Sequence, residues 1–360
     1  MRNRKFKKKR SISTFLLLAL FIVLSMGCIL IKIYGNRTNL AVASEPIVGK
    51  ALSVDKRGSI TFEENEYFKR YIINFKGSTE NINWTETKEY ISLNIKKRDI
   101  SKLAVSSVSN NKMKEASNIN YEAKDENILL NFKKVYSTDN YIYKDELNKD
   151  KVVILIRKAK QLYNYTVVVD PGHGGVDKGA NFGNIYEKDI TLKIALYMQN
   201  ELKYYGCKVV LTRDTDKLLT FKTQDSEIPS IVNNSNGDVF VSIHVNEFKE
   251  EKYNGITTYY YDVNGYQKDL RKRLAEEIQK CAIMEDDWGD RGVIRQNVAA
   301  ILRYSNLPCA LVECGFLSNF DDRERLKDNK VLYSLSKNIS KGIYNFLVDY
   351  KKTVKDGDNN

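Results

Sequence analysis

Val167-Val168-Val169-Asp170-Pro171-Gly172-His173-Gly174-Gly175 is the stretch on which the fold turns. Three β-branched residues followed by Asp-Pro-Gly describe a short buried strand that stops abruptly in a loop. The glycines flanking His173 let the backbone bend tightly and approach a bound group closely. Beyond this loop, Asp189 caps an amphipathic helix with Leu192, Ala195, Leu196, Met198 and Leu202 on its apolar side. Lys208 to Thr212, Asp238 to Ile243 and Gly255 to Tyr261 read as strands, and a helix follows from about Tyr266 to Ala282. Leu311-Val312 runs as a strand into Glu313, and a last helix spans about Lys330 to Tyr350. Strands alternating with helices predict an α/β domain over 164–350 with a mostly parallel sheet.

Upstream the period changes to two. Tyr71-Ile72-Ile73-Asn74-Phe75, Ile91-Ser92-Leu93-Asn94-Ile95 and Ile128-Leu129-Leu130-Asn131-Phe132 are short alternating or apolar runs separated by Asn, Asp, Lys and Ser clusters, as is the run from Val152 to Ile156. They predict a small all-β sandwich over 59–160, a binding or spacing module without a catalytic cluster. Residues 32–58 are polar and read as a linker. Residues 12–31 carry no charge, and at about 1.5 Å per residue they reach roughly 30 Å, the thickness of a bilayer core. They follow the basic segment 1–11, so they read as an uncleaved signal-anchor that leaves the rest of the chain outside the cytoplasmic membrane. A signal peptide cleaved near Cys28 is the competing reading. The tail 351–360 is polar and expected to fray.

The chain has 360 residues, 42% of them hydrophobic, which excludes a disordered protein. Its net charge of +12 suggests a nucleic-acid partner until it is mapped: seven positive charges lie in 1–11, and the remaining +5 is interleaved with acids. No nucleic acid is expected. Five cysteines without a CxxC pair are too few for a disulfide framework and read as buried thiols.

Only two histidines are present, His173 and His244. Three-His sites are therefore excluded. Both histidines follow predicted strands, at the end of an open α/β sheet where ligands bind. A hydrolytic zinc site of the His2Glu type needs one carboxylate ligand and leaves a position open for water. Glu187, just before the first helix, and Glu313, at a strand end, are the candidates; spacing alone leaves open which would bind metal and which would act as base. Taken singly, each has a plainer role: a hydrogen-bonded strand-end His, a helix-start carboxylate at Glu187, a buried ion-pair partner at Glu313.

The string from Val169 to Gly175, together with Tyr186-Glu187-Lys188-Asp189, Leu211-Thr212-Arg213-Asp214 and Ser242-Ile243-His244-Val245-Asn246, resembles the zinc-dependent N-acetylmuramoyl-L-alanine amidases of bacterial cell walls. Arg291-Gly292-Val293 and Pro308 to Asn319 continue the likeness, which runs from about Val167 to Tyr350. The resemblance implies a twisted six-stranded sheet flanked by helices, zinc held by His173, Glu187 and His244, and Glu313 as the catalytic carboxylate. It implies peptidoglycan as substrate, cut between the lactyl group of muramic acid and L-alanine. Asp170, Asn246 and Asn319 are further candidates for contact with substrate or ligands, or plain turn and loop caps. The β region is similar in order and strand count to the AMIN-type modules that precede such domains. Two features depart from the family: 216–238 lacks its Arg-containing helix start, and the 214–242 interval has no room for an autoinhibitory helical insertion. Activation by another protein stays open. The rival readings are a wall-binding protein without catalysis, and a zinc peptidase or deacetylase acting on another wall bond.

Overall fold

Alternation of apolar and polar residues builds the first half into strands, because each buried side chain on one face needs a partner across a core. The computed structural model describes residues 47–48, 59–75, 78–96, 119–145, 149–262, 265, 267–296 and 300–357. The basic segment and the predicted membrane segment 12–31 lie outside these, as does nearly all of the linker. Among the described residues no helix is long and apolar enough to cross a membrane.

Strands β1 (Ser59–Glu64), β2 (Phe68–Asn74), β7 (Tyr141–Lys144) and β8 (Lys151–Arg157) pair antiparallel in the order β1-β2-β8-β7. A second antiparallel sheet runs β3-β4-β6-β5, from β3 (Asn83–Glu86), β4 (Tyr90–Lys96), β5 (Ile119–Lys124) and β6 (Asn127–Lys133). Tyr71, Ile73, Ile91, Leu93, Phe132 and Ile154 fill the space between them.

The second half forms a six-stranded sheet in the order β12-β9-β13-β16-β14-β15. Its strands are β9 (Thr166–Pro171), β12 (Lys208–Leu211), β13 (Val239–Asn246), β14 (Ile256–Tyr260), β15 (Asp290–Arg295) and β16 (Cys309–Phe316). Only the β14–β16 pair is antiparallel, so the mostly parallel α/β sheet read from the sequence is what the chain forms. Helices α1 (Glu187–Tyr204), α2 (Glu227–Asn233), α3 (Lys268–Ala282), α4 (Ala300–Arg303), α5 (Phe320–Lys327) and α6 (Asn329–Gly357) accompany it. The four described cysteines are buried and free.

Three local expectations are corrected. Helix α1 starts at Glu187, two residues before the predicted cap at Asp189, because a two-strand hairpin, β10 (Asn181–Phe182) with β11 (Ile185–Tyr186), delivers the chain directly into it. Its buried stripe is Ile190, Ile194, Ala195, Met198 and Leu202, with Leu192 and Leu196 only half-buried. Helix α6 continues into the expected tail as far as Gly357, since no glycine or proline interrupts 351–356. The short α2 was not foreseen; Pro229 sits in its first turn, where a missing N–H costs nothing.

The β sandwich and the α/β half share one core: Tyr67, Phe68, Val153 and Leu155 pack with Tyr204, Tyr205, Ile339 and Tyr344, and residues 48–360 form one unit. A charged group is sealed in this seam. Arg70 of β2 donates to Glu201 of α1 at 2.5 Å and to Glu63, while Tyr333 donates to Glu201 at 2.8 Å. The module is thus more than a spacer: it supplies the cation that a buried carboxylate of α1 requires.

Candidate metal centre

Three segments bring the candidate ligands together. His173 follows β9, Glu187 opens α1, and His244 lies near the end of β13, which runs parallel beside β9. His173 itself has φ of 63°, a left-handed conformation uncommon for a residue with a Cβ. Its loop is held there by a buried arginine: Arg213 donates to the carbonyls of Pro171, Gly172 and Lys188 at 2.9, 3.0 and 2.9 Å. Lys188 adds a bond to the Gly175 carbonyl at 2.8 Å.

Glu187 sits between the two imidazoles. His173 Nε2 lies 3.1 Å from Oε2 and His244 Nδ1 lies 2.9 Å from Oε1. One candidate ligand atom from each residue falls within 4.8 Å of the others. The backbone N–H groups of Ala180 and Val245 also donate to the Glu187 carboxylate, at 2.7 and 2.8 Å. Burial alone would raise this carboxyl, but the hydrogen bonds from His173 and His244, and their charge, hold it down at about 2. Burial works against a charged imidazole at His173, yet Glu187 and then Asp177 raise it to about 9. His244 is likewise raised, its burial outweighed by Glu187 and Glu313. Two imidazoles made more basic by the carboxylate between them form an electron-rich pocket that a divalent cation would share in place of protons.

The packing is specific to this arrangement. A Cβ on Gly172 would stand 2.4 Å from the His244 ring, and one on Gly179 2.3 Å from Glu187 Oε2. Asp177 Oδ2 lies 2.9 Å from His173 Nδ1, which turns Nε2 toward Glu187. That is the usual support for a metal-ligating imidazole.

Glu313 lies in register with His244 on the adjoining strand β16, so both side chains share one face of the sheet. Burial pushes its carboxyl up to about 7; His244 opposes the rise and Glu187 adds to it. Its Oε2 is sealed from solvent with no hydrogen-bond partner among the described residues. A buried acceptor is rarely left so without a water, ion or substrate group to meet it. The donor set and this orphaned oxygen together fit a zinc site with an adjacent base.

The remaining sequence candidates hydrogen-bond to their neighbours in the fold. Asp170 accepts from Thr212 at 2.5 Å and from Ser242 at 2.8 Å, clamping β9 to its neighbours. Asn246 accepts from the Glu247 N–H at 2.9 Å, and Asn319 caps α5 by accepting from the Asp322 N–H at 3.1 Å. The sequence assigns no role to Asp177, or to Arg213 beyond its place in the Leu211–Asp214 string; the four-residue step from His173 to Asp177 is the one signal that points to the former.

Residues 167–345 match the sequence profile of the Amidase_3 family, N-acetylmuramoyl-L-alanine amidase. The chain is 34% identical over 184 residues to a probable cell wall amidase, LytH, of Staphylococcus aureus, covering 50% of this chain and 58% of that protein. It thus spans less than two thirds of the curated relatives it matches. A solved N-acetylmuramoyl-L-alanine amidase of Clostridium difficile 630 is 35% identical, with 51% of this chain and 96% of that one covered and a TM-score of 0.47. The CwlD amidase of Clostridioides difficile, solved in complex with the GerS lipoprotein, is 33% identical over 51% of this chain and 99% of its own, also at TM-score 0.47.

Proposed function

The chain belongs, through residues 167–345, to the N-acetylmuramoyl-L-alanine amidase family, and from that premise we propose that it hydrolyses the amide joining the lactyl group of muramic acid to L-alanine in peptidoglycan. The observation that carries this reading is the convergence of the chain's entire histidine complement on Glu187, beside the orphaned oxygen of Glu313. His173, Glu187 and His244 would hold zinc, which supplies a Lewis acid that acidifies water and stabilises negative charge on the reacting carbonyl. Glu313 accepts the proton of the attacking water. The water oxygen joins the lactyl carbonyl carbon, the C–N bond breaks, and Glu313 returns the proton to the departing amine. The products are a free lactyl carboxylate and a stem peptide with a free L-alanine amine.

Location and partners belong to the same proposal. The uncharged run 12–31 would anchor the chain in the cytoplasmic membrane, with the amidase half facing the wall. An activating protein is a further expectation, in keeping with the lipoprotein complex of one relative. The β sandwich would be an AMIN-like module.

Mass spectrometry of digested peptidoglycan tests the bond: intact glycan strands with free L-Ala-terminated stems are expected. Glycan fragments, deacetylated sugars or shortened stems would refute it. Glu313→Gln should lower turnover by about 10²-fold or more while zinc is retained. Full activity of that variant on sacculi would remove Glu313 from the chemistry.

A further inference from the structure

Between the β sandwich and α1 lies a cavity of about 390 Å³, well within the size of small-molecule sites. Both halves line it: Tyr141, Tyr143 and Lys151 from the sandwich, and Tyr197, Lys203 and Tyr333 from the helices. It is separate from the metal centre. Glu187 begins α1, and Leu196 to Lys203 come nine to sixteen residues later, which is about 14–24 Å along the helix axis.

The lining has two characters. Tyrosine rings offer apolar faces with hydroxyls at their edges, and Tyr197 and Tyr333 are fixed against each other edge-to-face at 5.3 Å. The other character is cationic. Lys203 is half-buried, its Nζ over the Tyr141 ring at 5.7 Å, and burial lowers its ammonium. Neither Lys203 nor Lys151 forms an ion pair among the described residues, and Asp145 is the one carboxylate in the lining. A half-buried ammonium beside aromatic faces is costly to keep unpaired, and an anion entering the cavity relieves that cost.

We propose that this cavity binds an anionic saccharide, the glycan whose lactyl group is left as a free carboxylate by hydrolysis. The proposal rests on the amidase reading for the origin of that ligand. The uncut lactyl amide is neutral, so a site selective for carboxylate distinguishes processed strand from unprocessed strand. Because both halves of the chain build the cavity, the sandwich acts as half of a product-binding site and keeps the metal centre near glycan it has already cut.

The test uses N-acetylmuramic acid, which carries the lactyl carboxylate, against N-acetylglucosamine, the same ring without it, with binding to the full chain followed by ligand-observed NMR. Saturable binding of N-acetylmuramic acid is expected, about tenfold or more tighter than N-acetylglucosamine, and Lys203→Glu should lose that preference. His244→Ala should leave it intact, since the metal centre is not the site. Equal binding of both sugars, no binding at millimolar ligand, retention in Lys203→Glu with an unchanged melting curve, or loss in His244→Ala would each overturn the proposal. Inorganic phosphate displacing the sugar with equal affinity would reduce the cavity to an anion site and overturn it as well. Neither sugar contains the scissile amide. A protein that binds N-acetylmuramic acid but releases no stem peptide would therefore overturn the amidase reading alone.

Discussion

Gly172→Ala is the most incisive perturbation of the metal centre, because it adds one methyl group and no charge. Gly172 has no positive φ, so alanine is compatible with its backbone, and the whole effect is steric. The added Cβ would stand 2.4 Å from His244 Cε1 and 2.6 Å from Nε2. Ordinary contact begins near 3.4 Å, so the imidazole or the loop must give by about 1 Å, whereas metal–ligand distances tolerate about 0.2 Å. Overpacking of this kind costs about 1–3 kcal/mol of stability, and loss of a ligand's position should weaken zinc affinity by about 100-fold or more. Zinc per chain after dialysis against a chelator, read beside the melting temperature, gives both quantities. Gly183→Ala is the control: its φ of 60° makes alanine strained, but nothing lies within 4 Å of the new Cβ. It should lose about 1–2 kcal/mol and keep its zinc. If Gly172→Ala holds zinc as wild type does and digests sacculi normally, the tight packing of His244 on the loop is not what positions the ligand.

Asp177→Asn keeps the size of the side chain that meets His173 Nδ1 at 2.9 Å but removes its charge. Zinc affinity should fall about 10–100-fold in a chelator titration, with little change in thermal stability. Arg70→Met strands Glu201 and Glu63 in the seam, and should cost about 3–5 kcal/mol by denaturant unfolding. The same seam predicts acid sensitivity. Burial raises the Glu63 carboxyl, but the charge and hydrogen bond of Arg70 bring it below 4.5. A carboxyl lowered in the folded state stabilises above its unfolded pKa and loses that contribution as pH falls through the folded value. Melting temperature should therefore drop below about pH 4.5 in wild type and less steeply in Arg70→Met.

The candidate metal centre was legible in the sequence because its chemistry is confined to few residue types. With two histidines in the chain, both at strand ends, any imidazole site had its positions named before the fold was known. Spacing alone left open which glutamate does which task, a division that only the family resemblance implied. Geometry divides them: Glu187 lies between the imidazoles and is held down at about 2, whereas Glu313 has a buried Oε2 with no hydrogen-bond partner and is raised by burial to about 7. Two carboxyls pushed in opposite directions by their surroundings are suited to ligand and proton carrier respectively.

Asp177 and Arg213 were harder to see, since support of a ligand depends on where a side chain points. Arg213 stands in a string that carries the family resemblance, but its task shows only where its guanidinium meets the carbonyls of the His173 loop, about forty residues upstream. The seam was less legible still. Arg70 and Glu201 are 131 residues apart and lie in segments whose periodicity describes two separate folds. Period-two patterning identified a sandwich and period-3.6 patterning a helix, but neither marks which polar position on each will face the other. An arginine on a strand with alternating pattern is ordinarily a solvent-facing residue. Here it is buried because the carboxylate of α1 is buried with it, and neither burial is sustainable alone. Removing the sandwich would therefore leave Glu201 uncompensated in the helix whose first residue is the candidate ligand Glu187. The β half belongs to the stability of the amidase half, and any cut between them at 158–165 passes through a single core.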